Sequence, residues 1–127
     1  MPQLATLFKA LADPNRLRIV NILSCRTLCV CDLQQVLGLS QPFISRHLAY
    51  LRRAGLVKDR RAGARVCYSL ALDSALGRAL GSLLRAAVQD SLAYQSDLRV
   101  LLEHESSGRL KSGVQVTDSE QITLRAA

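Results

Sequence analysis

The joint Gly38-Leu39-Ser40 narrows what this chain can fold into more than any other stretch. A helical pattern over residues 31–37 stops at Gly38, which takes the left-handed conformation that closes a helix without steric cost. Ser40 can then cap a new helix over residues 41–54, with Pro42 tolerated in its first turn. Two helices joined so tightly predict a helix-turn-helix unit. In the second helix Ile44, Leu48 and Leu51 share the spacing of a core-facing stripe. Its opposite side carries Gln41, Ser45, Arg46 and Ala49, small and polar rather than rich in Glu and Lys. Such groups suit base edges and phosphates in a major groove, and Ser40 and His47 border them.

After Ala54-Gly55 the pattern changes to strands. Residues 56–61 and 65–70 flank Ala62-Gly63, which predicts a hairpin with glycine at the tight point. Alternation turns Val66, Tyr68 and Leu70 inward and leaves Arg65, Cys67 and Ser69 on the other face. Arg60, Arg61 and Arg65 then crowd the hairpin tip beside the second helix, where guanidinium groups suit phosphate or minor-groove contact. The expected fold is therefore mainly α with a small β-hairpin, a winged helix-turn-helix.

Helical signals dominate elsewhere. Leu4, Leu7, Phe8 and Leu11 form one apolar face. Asp13-Pro14 reads as an N-cap followed by proline at the first helical position. The helix it starts should bury Leu17, Val20 and Leu23 and leave Arg16 and Arg18 in water. Residues 73–105 read as one long helix, with Leu76, Leu80, Leu83, Ala87, Ser91, Tyr94, Leu98 and Leu101 as a packing seam. A stripe that long exceeds what one small domain covers, and Gly77 and Gly81 permit close helix approach. Both features predict a homodimer through terminal helices, whose two-fold symmetry matches a two-fold operator. Residues 1–105 thus form one DNA-binding and dimerisation domain, followed by a polar tail over 106–127, either disordered or adding an edge strand at 114–116.

Charge agrees with a polyanionic partner. Seventeen Lys and Arg face 10 acidic residues, a net charge of +7, which favours nucleic acid first and an anionic membrane surface second. The start, MPQLATLFKALADPNR, lacks the basic segment and unbroken apolar run of a signal peptide, and no stretch has the apolar length that spans a bilayer. A cytoplasmic protein without a membrane partner is expected, with its thiols kept reduced. Four cysteines in that setting point to metal or redox chemistry. Two stand one residue apart in Thr27-Leu28-Cys29-Val30-Cys31-Asp32-Leu33. On a regular helix residues i and i+2 are turned about 200° apart, so a shared ion requires a distorted helix start.

The run LCVCDL through LSQPFISRHLAYLRRAGLVKDRRAGARVCYSL, together with LFKALADPNRLRIV, resembles the ArsR/SmtB family of winged-helix metalloregulatory repressors, and within it the arsenical-resistance branch. The resemblance covers roughly residues 4 to 75. It implies a homodimer that binds double-stranded operator DNA and leaves it when a thiophilic ion binds. It also implies that Cys29 and Cys31 form the inducer site, with As(III) or Sb(III) as inducer ahead of Cd(II), Pb(II) and Zn(II). The arsenical branch carries a third cysteine three residues beyond the pair, and here that position is Gln34. Cys25 is the nearest sulfur in sequence and is the candidate third ligand, with Cys67 in the wing behind it. The family's second type of site, built from Asp and His on the last helix, finds only His104 between Glu103 and Glu105, better read as a solvated helix end.

Other readings use the same parts. A thiol-redox or reactive-sulfur sensor would oxidise cysteines instead of binding an ion. A constitutive architectural DNA binder would ignore every inducer. A thiol oxidoreductase would need alternating strands and helices that the pattern lacks, so an enzyme is not expected.

Overall fold

The computed structural model describes residues 3–72 and 74–111. The elements run α1 (Leu4–Leu11), α2 (Pro14–Leu23), β1 (Leu28–Cys29), α3 (Val30–Leu37), α4 (Gln41–Arg53), β2 (Val57–Ala62), β3 (Arg65–Leu70), α5 (Ser74–Gln89) and α6 (Leu92–Ser106). Helices with a small antiparallel sheet in the order β1-β3-β2 make the winged helix-turn-helix architecture that the sequence predicts.

Local chemistry sets the helix boundaries. The Asp13 carboxylate accepts from the backbone N–H groups of Asn15 (2.9 Å) and Arg16 (3.0 Å), satisfying two of the donors a helix start leaves open. Gly38 ends α3 at φ 68°, where a side chain would be strained, and the Ser40 hydroxyl accepts from Phe43 N–H to open α4. Ile44, Leu48 and Leu51 are all fully buried, joining Ile19, Ile22, Leu28, Leu33 and Leu56 in one core between the helix-turn-helix and the sheet.

Four expectations need correction. Residues 73–105 are two helices, broken at Asp90-Ser91, where the Ser91 hydroxyl caps α6 by accepting from Tyr94 N–H. α6 turns back onto α2, α3 and α5, burying Leu101, so the apolar seam is partly spent inside the chain while Leu83 stays 57% exposed. A Cβ on Gly77 would meet the Leu72 carbonyl oxygen at 2.7 Å, so its close approach is to its own chain. Arg16 and Arg18 are not left in water. The Arg16 Nε donates to the Ala10 carbonyl (2.7 Å) with its guanidinium 4.1 Å from the Tyr50 ring centre, and Arg18 forms a two-pronged pair with buried Asp97, both contacts at 2.9 Å. Long cationic side chains reach partners that periodicity cannot see.

The fourth correction concerns the sheet. Tyr68 and Leu70 pack on the core as expected, yet Cys67 on the opposite face is buried as well. The reason is β1, a two-residue strand absent from the sequence reading, which pairs Leu28 with Tyr68 and Cys29 with Cys67. The expected strand at 114–116 lies outside the described residues. Among the described residues no helix is long and apolar enough to cross a membrane.

Candidate metal centre and nucleic-acid interface

Two sites lie on adjacent elements. The first is the junction of β1 and α3. Cys29 occupies the N-cap position with extended backbone (φ −81°, ψ 166°), and Cys31 lies in the first turn of α3. An N-cap residue is not yet helical, so the separation of i and i+2 around a regular helix does not apply. The two sulfurs stand 2.7 Å apart, both free thiols, and no unwinding is needed to bring them together. The expected distortion of the helix start is thereby corrected.

A third donor, which the sequence reading missed, is Asp32. Its carboxylate is fully buried, accepts from the Cys29 thiol at 3.1 Å and from the backbone N–H of Lys111 at 2.7 Å. Cys29 Sγ, Cys31 Sγ and an Asp32 oxygen all lie within 4.8 Å of one another. An acidic residue in the first turn of a helix that follows a thiol pair was the available signal, since the amino end of a helix favours a carboxylate. Cys29 is 2% exposed whereas Cys31 is open to solvent, giving the cluster one shielded and one accessible sulfur. Burial, then the hydrogen bonds with Cys31 and Asp32, push the Cys29 thiol up to about 12. Its proton therefore stays on until something replaces it.

Cys25 is placed elsewhere. Its side chain is part of the hydrophobic core and its thiol donates to the Asn21 carbonyl at 3.7 Å, so Asp32 rather than Cys25 completes the close group. Gln34 is half-buried one turn further along α3. His104 is half-buried with Nδ1 2.9 Å from the Val100 carbonyl, and Glu105 pairs with buried Arg26 at 3.1 Å. That helix end is engaged within the fold rather than simply solvated.

The second site is the outer face of α4 with the β2–β3 hairpin. Ser40, Gln41 and Arg46 are exposed, Ser45 is half-buried, and His47 stacks edge-on against Phe43 with ring centres 4.6 Å apart. Arg60, Arg61 and Arg65 are exposed on the hairpin, whose tip has Gly63 at φ 65°. The expected residues are thus exposed or half-buried on α4 and the hairpin. Arg65 has a second engagement: its Nη1 donates to the Lys111 carbonyl at 2.8 Å. Lys111, through its N–H on one side and its C=O on the other, therefore connects the wing to Asp32 and so to the thiols.

Fold and site together define a winged helix-turn-helix protein with a soft-ligand cluster at the start of its first reading-unit helix. The sequence profile of the bacterial regulatory protein arsR family matches residues 13–59. The HTH-type transcriptional regulator CmtR of Mycobacterium tuberculosis is 43% identical over 105 residues, covering 83% of this chain and 85% of that protein. The chain belongs to the ArsR family. The arsenical resistance operon repressor of Escherichia coli K12 is 58% identical over 65 residues, covering 50% of this chain and 56% of that protein. The chain spans about half the length of several such curated relatives. Among solved structures, HlyU from Vibrio cholerae superposes with a TM-score of 0.60 at 40% identity, over 65% of this chain and 88% of that one. Rv0081 of M. tuberculosis gives 0.57 at 35% identity, over 72% and 90%.

Proposed function

We propose that this protein is a metal(loid)-responsive transcriptional repressor, which binds operator DNA as a homodimer and is released when As(III) or Sb(III) is held by Cys29 and Cys31. The observation that carries this reading is the sulfur pair 2.7 Å apart at the start of α3, immediately before the helix whose outer face offers Gln41 and Arg46. Relatives named as an arsenical resistance operon repressor and an arsenic resistance transcriptional regulator support it, as does the net charge of +7. It is a binder, not an enzyme, and it works in the cytoplasm. Exposed Leu4 (60%), Phe8 (56%) and Leu92 (83%) on the terminal helices support the homodimer, because apolar groups so open are suited to a second copy.

The donor set suits a thiophilic ion. Soft sulfur donors select for such ions, and two thiols are already converged. Asp32 adds a hard oxygen, and that favours a second reading in which Cd(II), Pb(II) or Zn(II) is the inducer.

The chain's own bonds supply the coupling between sites. When the Cys29 sulfur becomes a ligand it no longer donates to Asp32. Asp32 is held by the Lys111 N–H, and the Lys111 carbonyl holds Arg65 of the wing. Loss of one bond at the thiols therefore shifts the balance of contacts at the hairpin. Ion and DNA oppose each other through that chain, and the effect is reciprocal: operator DNA lowers ion affinity by the same factor.

The test is an operator-binding titration of the reduced, full-length protein with arsenite, antimonite, cadmium, lead and zinc in parallel. Release by arsenite or antimonite at the lowest concentration supports the first reading. Release by cadmium, lead or zinc alone selects the second, and an operator complex indifferent to all five discards both.

A further inference from the structure

A trivalent arsenic centre is complete with three sulfurs, and the close donor group holds only two. The β1–β3 pairing supplies another. Cys29 and Cys67 are direct cross-strand partners, and partners of that kind project to the same face of a sheet with Cβ atoms about 5 Å apart. The neighbouring pair, Leu28 and Tyr68, faces the hydrophobic core. Cys29 and Cys67 face the other way, are not members of that core, and are nevertheless only 2% and 3% exposed. Two buried thiols therefore sit side by side on the face where Cys31 and Asp32 converge.

We propose that Cys67 is the third sulfur ligand of the inducer site, taking the role that Gln34 cannot. This rests on the reading of Cys29 and Cys31 as the inducer site and deepens it. Cys67 stands outside the close group as the structure has it, and rotation of its side chain toward its cross-strand partner brings it in. The step balances without an oxidant. Each of three thiols gives its proton to one hydroxyl of arsenous acid, three waters leave, three As–S bonds form, and arsenic stays trivalent. Cys25 is the competing sulfur, but its thiol is committed to the Asn21 carbonyl within the core.

The consequence concerns the wing. Cys67 pairs on its other side with Arg60 of β2, and its strand begins at Arg65. A ligand on β3 ties the ion to the hairpin directly, in addition to the route through Asp32 and Lys111.

The test is the sulfur count at arsenic by X-ray absorption, using reduced full-length protein loaded with arsenite. Three sulfurs are expected in the wild type and in Cys25→Ala, and two sulfurs with one oxygen in Cys67→Ser. Cys67→Ala serves as a second variant should the serine be poorly tolerated in a buried site, with circular dichroism to confirm the fold, and the wild-type count needs neither. Two sulfurs and one oxygen in the wild type overturn the third ligand while leaving the Cys29–Cys31 site intact. Three sulfurs retained in both Cys67 variants, with loss of one in Cys25→Ala, assign the ligand to Cys25 and overturn the proposal. No arsenite bound by the wild type overturns the inducer site itself, and the third ligand with it.

Discussion

The outer face of α4 and the start of α3 are neighbours in sequence and opposites in construction. On α4, Gln41 and Arg46 are exposed, and among the described residues Arg46 makes only a distant cation–π approach to Phe43 at 5.8 Å. At the start of α3, Cys29 and Asp32 are buried and bonded to each other, and Asp32 also holds a peptide from beyond α6. Side chains left uncommitted on the outer face of α4 are the kind that can turn to an outside partner. A site that must change the fold needs the reverse, side chains whose bonds already reach the elements to be moved.

The comparison can be broken by substitution. The largest effect belongs to the frame holding both sites. Arg18→Ala leaves the Asp97 carboxylate buried with its charge partner gone, and should destabilise the fold by about 3 kcal/mol in a denaturant titration. Asp32→Ala removes the acceptor of the buried Cys29 thiol and of the Lys111 N–H, and should cost about 2 kcal/mol. Arg46→Ala should do the opposite: a change within about 0.5 kcal/mol in stability, with operator binding weakened by about 1–3 kcal/mol. Equal stability losses for Asp32→Ala and Arg46→Ala would erase the contrast.

Smaller effects sharpen it. Arg61→Ala should weaken DNA binding across sequences and lower the salt slope by about one phosphate contact, read from binding at several salt concentrations. An unchanged slope would remove the wing from the contact set. The least conspicuous effect is the pH dependence. Because the Cys29 thiol is pushed up to about 12 from an ordinary value of 9.0, the folded state favours its neutral form. Its contribution to stability is present below pH 9 and lost as pH rises toward 12. Iodoacetamide should accordingly modify Cys29 far more slowly at pH 8 than it does a free thiol. Cadmium binding must expel the Cys29 proton and so tightens with rising pH over that range, whereas with arsenite the thiol protons depart as water. Parallel pH profiles therefore distinguish the two inducer classes.

How much was legible in the sequence follows the same division. The DNA face depends on local rules: a left-handed Gly38, a Ser40 cap and a buried stripe of Ile44, Leu48 and Leu51 fix which side of α4 points outward. The hairpin and its arginines are equally local. At the thiol site the pair itself was visible, but its geometry was not. Cys29 leaves the helix because it belongs to β1, a strand that exists only through pairing with β3, some forty residues away in sequence. Asp32 gains its weight from Lys111, and Cys67 is buried because Cys29 lies opposite. The same blindness made α5 and α6 one helix, since the period of apolar residues runs through a break that only the Ser91 cap and the return of α6 onto α2 reveal.

In the proposed mechanism the Cys29–Cys31 pair releases the operator without itself contributing to DNA affinity. Fluorescence anisotropy of a labelled operator, titrated with arsenite under anaerobic reducing conditions, tests it in the wild type and in the double variant Cys29→Ser, Cys31→Ser. Both proteins should have equal DNA affinity before arsenite, the wild type should be released as arsenite is added, and the double variant should stay bound throughout. A double variant that leaves the operator at the same arsenite concentration as the wild type would contradict that mechanism.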